Sequence, residues 1–253
     1  MQKNKQSCHL VLSWWWVRGF AHVGVYKALH EHGYIISSIS WTSMGSLVGA
    51  MIASGLSAYE IESLCTSKSL RKFLDINLSN WWWFFSLNKV MELLQLATQV
   101  DVIEDLSLPL CVCVTDVQLA QPRYFAQWDL KKIISASCAV PWLFDPIEYD
   151  NTLFIDGGVT DNFPMQWMLH QDQYMIWVHV NPLPKSDDYT IKDIPTRAVE
   201  IMLWRAVRDC QSQCDIFIEP PALCQINQSL FVDPSEIIQI WYQYATQLLS
   251  QKQ

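Results

Sequence analysis

The chain has 253 residues, of which 51% are hydrophobic and 17% are charged, and its formal net charge is -8. A chain of this length can bury a substantial core in one α/β domain. Because the charge balance is acidic, the chain lacks the basic character that a polyphosphate requires, and nucleic acid is excluded as an expected partner.

Predicted strands and helices alternate along the chain. Continuous apolar runs predict strands that are covered on both faces, and apolar residues three or four positions apart predict helices. The predicted strands are 9–13, 35–40, 108–117 and 174–182, and the predicted helices are 17–33, 43–55, 59–71, 87–98, 129–138, 192–212 and 235–250. This alternation is typical of a three-layer α/β/α sandwich with a mainly parallel central sheet. Residues 185–195 have the composition of an exposed loop.

A serine follows the second predicted strand in SWTSMGS, residues 40–46. This stretch is the pattern G-x-S-x-G with Trp41 in place of the first glycine and Gly45 at the second. In a nucleophile elbow, the serine lies in strained geometry at the turn between a strand and a helix. Ser43 is therefore a candidate nucleophile, although a serine that only caps a helix would have the same neighbours.

An aspartate and a loop near the N-terminus complete the pattern. In FIDGGVTDNFP, residues 154–164, Asp156 ends a predicted strand and enters a Gly-Gly turn, which lets its carboxylate approach another loop. Near the N-terminus, WWWVRG (14–19) occupies the place of a glycine-rich loop whose backbone N–H groups would face an anion at a helix N-terminus. Each stretch alone has an ordinary structural explanation. Their order and spacing together are far more specific.

The three stretches resemble the patatin-like phospholipase family of bacterial acyl hydrolases, which carries G-G-G-x-R-G, then G-x-S-x-G, then D-G-G or D-G-A. The resemblance extends from His9 to about Pro184 and includes SASCAVPWLFDPIEYDN at 135–151. It implies a single patatin-like domain over 1–253, with its core at about 9–184 and a helical C-terminal part at about 191–250.

The resemblance also implies a reaction, the hydrolysis of a lipid carboxyl ester through a Ser-Asp dyad and an acyl-enzyme. A carboxylate against the serine hydroxyl can take its proton, and backbone amides can stabilise the oxyanion. The implied site residues are Ser43 as the nucleophile, Asp156 as the general base, Trp14, Trp15, Trp16, Arg18 and Gly19 as the oxyanion loop, and Trp41 and Gly45 as the elbow flanks. No cofactor and no metal are implied. His22 is expected to pack within its helix.

By the resemblance, ten tryptophans replace glycine: the first four along the chain stand where the family has glycine, Trp128, Trp142 and Trp177 stand where glycine is usual, and Trp81, Trp82 and Trp83 fill a loop that often bears glycine. The ten are Trp14, Trp15, Trp16, Trp41, Trp81, Trp82, Trp83, Trp128, Trp142 and Trp177, whereas Trp167, Trp204 and Trp241 lie in helical patterns. Ten replacements of one kind indicate an altered copy of a family member. Bulky side chains in the loop and the elbow predict that the chain as written is inactive or badly impaired, and that Trp41 turns Ser43 away from Asp156. Overpacking typically costs about 1–3 kcal/mol per site.

Other functional classes fit parts of the sequence. A patatin-like protein could bind lipid or act as a scaffold without catalysis, and the aromatic run WWWFF at 81–85 would suit a module on a membrane surface. A nucleotide-binding domain is disfavoured, because no G-x-G-x-x-G or GK[ST] pattern is present.

The remaining expectations concern cysteines, metals and location. The eight cysteines are scattered without a CxxC pair, which predicts free thiols in a reducing compartment and no metal site. Because no signal peptide and no apolar span of about 18 residues is recognisable, we expect a cytoplasmic protein whose lipid or ester substrate allows peripheral membrane contact. The sequence predicts no particular oligomeric state.

Overall fold

The computed structural model describes residues 6–13, 19–43, 45–67, 87–141, 144–165, 167, 174–183, 188–220 and 233–252. The helices in these residues are α1 (Ala21–Glu31), α2 (Gly45–Ala53), α3 (Ala58–Cys65), α4 (Leu87–Thr98), α5 (Leu130–Ser137), α6 (Ile194–Cys210) and α7 (Pro234–Gln251). The strands are β1 (Gln6–Leu12), β2 (Tyr34–Thr42), β3 (Leu110–Asp116), β4 (Gln121–Phe125), β5 (Ile147–Tyr149), β6 (Thr152–Asp156), β7 (Tyr174–Val178) and β8 (Ile216–Ile218).

All eight of these strands join one sheet. Five of them run parallel in the order β3-β2-β1-β7-β8. The strands β4 and β6 pair antiparallel with β3, and β5 pairs antiparallel with β6. Helices cover both faces of the sheet. The predicted α/β/α sandwich with a mainly parallel central sheet is therefore confirmed.

The centre of the sheet is buried, as its apolar runs predict. Every residue of β3 is buried, and so are residues 8–12 of β1. One polar cluster crosses this interior, because His9 bonds through its two ring nitrogens to Ser38 Oγ at 2.7 Å and Ser40 Oγ at 2.9 Å. Burial lowers the pKa of His9 to about 4, so its imidazole is neutral at physiological pH.

The predicted element bounds agree best where the pattern is long. The helix predicted at 87–98 is confirmed at both ends, and Gly33, with φ 82°, lies in the turn after α1. The helices predicted to begin at 17 and 43 begin instead at Ala21 and Gly45. The strands β4, β5 and β8 have no counterpart in the prediction, because they are three to five residues long and carry too short a pattern.

The C-terminal part packs directly on the N-terminal part. The strand β8 extends the sheet beside β7, and α7 lies against α1. At Gly24 the two helix backbones come so close that a Cβ built there would lie 2.2 Å from the carbonyl oxygen of Ile238. A side chain at this position would push the helices apart.

Candidate active site

Ser43 occupies a strained turn directly after β2. Its φ of 61° lies in the left-handed region, which costs a residue other than glycine roughly 1–2 kcal/mol. Its amide N–H donates to Ser137 Oγ at 2.8 Å, and its carbonyl accepts the amide of Ser46 at 2.7 Å as α2 begins. The side chain of Ser43 is fully buried.

The strand register explains why Ser43 meets Asp156. Both β2 and β4 pair with residues 112–113 of β3, so they lie on opposite edges of that strand. Both β4 and β6 pair with residues 114–116, so β6 lies on the same edge as β2, beyond its end. On that edge Thr42 is opposite Cys113 and Asp156 is opposite Val114. The ends of β2 and β6 therefore meet, and Ser43 Oγ donates a hydrogen bond to Asp156 Oδ2.

The Gly-Gly turn holds the carboxylate of Asp156 in place. Its Oδ1 accepts the amide of Gly158 at 2.8 Å, while Oδ2 faces Ser43. A Cβ on Gly157 would lie 2.2 Å from the carbonyl oxygen of Cys113, so only glycine fits this close approach. Burial raises the pKa of Asp156 from 3.8 to about 7, and the two hydrogen bonds from Ser43 and Gly158 oppose that rise.

A second carboxylate braces the loop after Asp156. Asp161 accepts the hydroxyl of Tyr124 at 2.6 Å and the amide of Phe163 at 2.8 Å. Its carbonyl accepts the Thr42 hydroxyl at 2.9 Å, which ties this loop to the residue before Ser43. Burial raises the pKa of Asp161 as well. Thr42 and Asp161 lie inside the stretches SWTSMGS and FIDGGVTDNFP, but the patterns there mark only Ser43 and Asp156.

Gly45 and His22 line the side of the site that faces β1. A Cβ on Gly45 would lie 3.3 Å from the carbonyl oxygen of Ser13, so the start of α2 lies close to the end of β1. The Nε2 of His22 lies 3.0 Å from that same carbonyl. Because burial lowers the pKa of His22 to about 4, the ring is neutral and carries its proton on Nε2. His22 thus holds the backbone of Ser13.

Trp41 fills the space between β2 and α2. Its side chain is fully buried, and a Cβ built on Gly49 would lie 0.6 Å from Cη2 of the indole. The ring therefore lies directly over the bare backbone of α2. Ser43 contacts Asp156 all the same, so the expectation that Trp41 turns the serine away is wrong. The reason is that Gly49 leaves the indole room on the helix side of the strand.

The predicted oxyanion loop falls mostly outside the described residues. Trp14, Trp15, Trp16 and Arg18 lie there, whereas Gly19 is described and is buried just ahead of α1. Outside the described residues also lie Trp81, Trp82, Trp83 and Trp142.

Ser137 is a site residue that the sequence reasoning missed. Its hydroxyl accepts the Ser43 amide and donates to the carbonyl of Cys113 at 2.7 Å. It lies at the end of α5, within the stretch SASCAVP that belongs to the family resemblance. A buried serine at the end of an amphipathic helix was the available signal.

The seven cysteines in the described part of the chain have free thiols. Within that same part, no group of three or more His, Cys, Asp or Glu side chains could hold a metal ion. The described helices include none that is both long enough and apolar enough to cross a bilayer.

Comparison with known proteins identifies the family. The family model for patatin-like phospholipases matches residues 16–167. An uncharacterized NTE family protein of Mycobacterium tuberculosis is 34% identical over 151 residues, which are 58% of this chain and 41% of that protein. Lysophospholipase NTE1 of Mycosarcoma maydis is 30% identical over 173 residues, which are 64% of this chain and 9% of that protein.

A solved structure shows the same fold. VipD from Legionella pneumophila aligns with a TM-score of 0.57 at 15% identity, covering 98% of this chain and 67% of that chain. Fold and family model together define an α/β protein of the patatin type, and the chain belongs to the patatin-like phospholipase family. It spans 41% of the length of the mycobacterial relative.

The raised pKa of Asp156 predicts a pH-dependent stability. Between 3.8 and about 7 the folded protein keeps a proton that the unfolded chain has lost. The Asp156 carboxyl should therefore contribute about 4 kcal/mol less to the free energy of unfolding at pH 7 than below pH 3.8. His9 and His22 contribute in the opposite direction between about 4 and 6.5, because burial lowers their pKa values, so the effect of Asp156 is measured as a difference between variants. In urea unfolding, the stability of the chain relative to Asp156→Asn should fall by about 4 kcal/mol as the pH rises from 3.8 to about 7, whereas its stability relative to Asp150→Asn, at an exposed turn, should not change. A difference for Asp156→Asn that does not change with pH would place the titrating group elsewhere.

Proposed function

We propose that this chain is a bacterial member of its family built as a serine hydrolase of lipid carboxyl esters. The observation that supports this most directly is the buried hydrogen bond from Ser43 Oγ to Asp156 Oδ2 at the turn after β2. The family itself, and the similarity to a lysophospholipase, support a lipid ester as the substrate class.

In the proposed reaction, Asp156 takes the proton of Ser43 as Oγ attacks the ester carbonyl. The alcohol leaves with a proton from Asp156, and the acyl group remains on Ser43. Water, activated by the same carboxylate, then releases the fatty acid. A general base works best when its pKa lies near the working pH, and burial raises that of Asp156 to about 7. The amide of Gly158 keeps one carboxylate oxygen occupied, so the other remains directed at Ser43. No cofactor and no metal enter these steps.

We assign the oxyanion hole to the backbone amides of residues 14–16, with Arg18 and Gly19 finishing the loop. The described flank of this loop supports the assignment, because Ser13 lies beside Gly45 at the start of α2. The N-terminal end of α1, which follows the loop, would add a favourable dipole for the developing negative charge.

We further propose that the ten tryptophans replace glycines and that the chain as written is inactive or nearly so. Three indoles in place of glycine at residues 14–16 are expected to obstruct both the amides and the space that a substrate carbonyl must enter. Losing one oxyanion donor costs roughly 3–4 kcal/mol of transition-state stabilisation. The catalytic pair stays in contact despite Trp41, so the loop rather than the pair carries the impairment.

A second candidate function is a patatin-like protein that binds lipid or serves as a scaffold without catalysis. It is favoured by the burial of the pair, since Ser43 is 0% exposed and Asp156 is 2% exposed. A lipid ester can reach these atoms only after a conformational change. A fluorophosphonate probe separates the two functions, because it labels an activated serine and leaves an inert one unmodified. For either function we propose a cytoplasmic location with peripheral membrane contact.

The dyad assignment predicts the effect of two substitutions. In the chain with glycine at 14, 15, 16 and 41, Ser43→Ala and Asp156→Asn should each lower the turnover of p-nitrophenyl butyrate roughly a thousandfold or more, because the two residues act as a unit. Ser54→Ala, at the end of α2, and Asp150→Asn should leave turnover unchanged. Full activity in either dyad variant would refute the assignment.

If the tryptophans lower the activity of the chain, restoring glycine should raise it. The chain with glycine at 14, 15, 16 and 41 should turn over p-nitrophenyl butyrate more than tenfold faster than the chain as written, a gap of more than about 1.4 kcal/mol in activation free energy. Trp204→Gly, in α6, is the matched control and should bring no gain. Equal rates for the two chains would mean that the loop accommodates its tryptophans.

A further inference from the structure

Ser137 links the backbone of Ser43 to that of Cys113 through two hydrogen bonds. Its hydroxyl accepts the amide of Ser43 at 2.8 Å and donates to the carbonyl of Cys113 at 2.7 Å, so its single proton is committed. Ser137 is fully buried. If its hydroxyl were removed, a water molecule could take over these hydrogen bonds only where a cavity held it. The hydroxyl therefore links the turn after β2 to the strand that also pairs with β6.

We propose that Ser137 is a positioning residue that keeps Ser43 in its left-handed conformation. A φ of 61° is unfavourable for serine, and among the described residues the hydrogen bond from the Ser43 amide to Ser137 Oγ offsets this cost. Without this hydrogen bond, the turn relaxes and the Ser43 hydroxyl no longer points at Asp156. The role in turnover rests on the proposed function, whereas the effect on the backbone does not.

The test compares Ser137→Val with Ser137→Thr, which have equal volume and differ by the hydroxyl. In the full chain, Val should speed hydrogen exchange at the Ser43 amide at least tenfold, and Thr should not. In the chain with glycine at 14, 15, 16 and 41, Val should lower kcat at least tenfold with KM unchanged. Ser135→Val, on the same helix, is the matched control, and Ser137→Ala takes the place of Val if Val fails to fold.

Unchanged exchange in the Val or Ala variant overturns the positioning role. Faster exchange in a chain that shows no turnover even with Ser137 intact supports the positioning role and refutes the hydrolase. Equal loss in the Thr and Val variants also overturns the proposal, because bulk rather than the hydroxyl would then be responsible.

An independent inference concerns the composition. The chain has 8 glycines and 13 tryptophans, so glycine is about 3% of the residues where about 7% is usual. If the ten tryptophans at glycine positions are read as glycine, the chain has three tryptophans and eighteen glycines, which is about 7%. One exchange thus brings both residue types to ordinary values.

Three of the ten positions are described, and two of them have a feature that favours glycine. Trp128 has a φ of 96°, which is a genuine outlier for a bulky residue. Trp41 lies over the bare backbone of Gly49, which leaves room for its indole. The ring centroids of Trp177 and Phe163 are 3.6 Å apart, closer than the 4.5–7 Å usual for aromatic pairs.

The other three tryptophans have ordinary surroundings. Arg208 lies over the ring of Trp204 at 5.3 Å. His9 lies 6.2 Å from Trp167, which is in a turn although its sequence pattern is helical. Trp241 is buried on α7 in the main core. A buried indole N–H without a partner does not separate the groups, because Trp241 has one like Trp41 and Trp177. The backbone angle of Trp128 and the crowding of Trp177 do distinguish these two from the other three.

We infer that the ten positions are UGA codons that the source organism reads as glycine. Single-base changes convert only one of the four glycine codons to a tryptophan codon and yield arginine, alanine, valine or acidic residues more often. Ten separate mutations would therefore give a mixture. One codon with two meanings gives one replacement throughout, because genetic codes differ in reading UGA as stop, tryptophan or glycine. In its own cell the protein then has glycine in the oxyanion loop and the elbow.

Three measurements test this inference. In the gene, TGA is expected at the ten positions and TGG at Trp167, Trp204 and Trp241, and TGG at the ten overturns it. Peptides of the protein purified from its source should have the mass of glycine at position 128, and a tryptophan mass there overturns it. The full chain with ten glycines should have a higher urea midpoint than the chain as written. Glycine at the other three positions, the matched control, should lower the midpoint, and the reverse order contradicts the inference.

Discussion

The end-to-end meeting of β2 and β6 along one edge of β3 is the constraint on which the site depends. The parallel strand stops at Thr42 opposite Cys113, and the antiparallel strand stops at Asp156 opposite Val114. Neither strand can continue along β3 without running into the other, so both turn out of the sheet at the same point. Their next side-chain contact, from Ser43 to Asp156, joins residues 113 positions apart in the sequence. In a sheet of parallel strands alone, the C-terminal ends of two strands would lie side by side and would not meet end to end.

This meeting puts polar groups into a buried place, and hydroxyls satisfy them. Thr115 donates to the carbonyl of Asp156 at 2.8 Å, and Ser137 joins the amide of Ser43 to the carbonyl of Cys113. An unpaired buried group costs about 1–3 kcal/mol, so these short side chains stabilise the turn without filling it. The carboxylate of Asp156 is the exception, because its hydrogen bonds do not offset its burial and its pKa rises to about 7. That same imbalance is what would let it accept a proton at neutral pH.

The sequence predicts the layers of this fold better than the contacts within it. Long apolar runs such as β3 and a strong helical period such as α4 are local properties, and both are where the pattern places them. The strands β4, β5 and β8 are too short to have a pattern of their own and form only because a neighbouring strand offers an edge. The motif around Ser43 and Asp156 marks two residues, but strand register determines that they touch. The contacts of Ser137 and Asp161 with this turn follow only once that register is known.

The small residues of α2 explain how the site accommodates the indole of Trp41. They also explain why a bulky side chain at that position has a different consequence from one in the oxyanion loop. Gly45 and Gly49 lie one helical turn apart on the face toward the sheet, where Gly45 admits the backbone of Ser13 and Gly49 admits the indole. The helix therefore absorbs the bulk at position 41 locally, and the contact between Ser43 and Asp156 survives. The proposed oxyanion loop is a separate case, because the amides of an oxyanion hole must face the substrate directly. The geometry of the pair and the competence of the loop are thus separate requirements, and a chain can meet the first while failing the second.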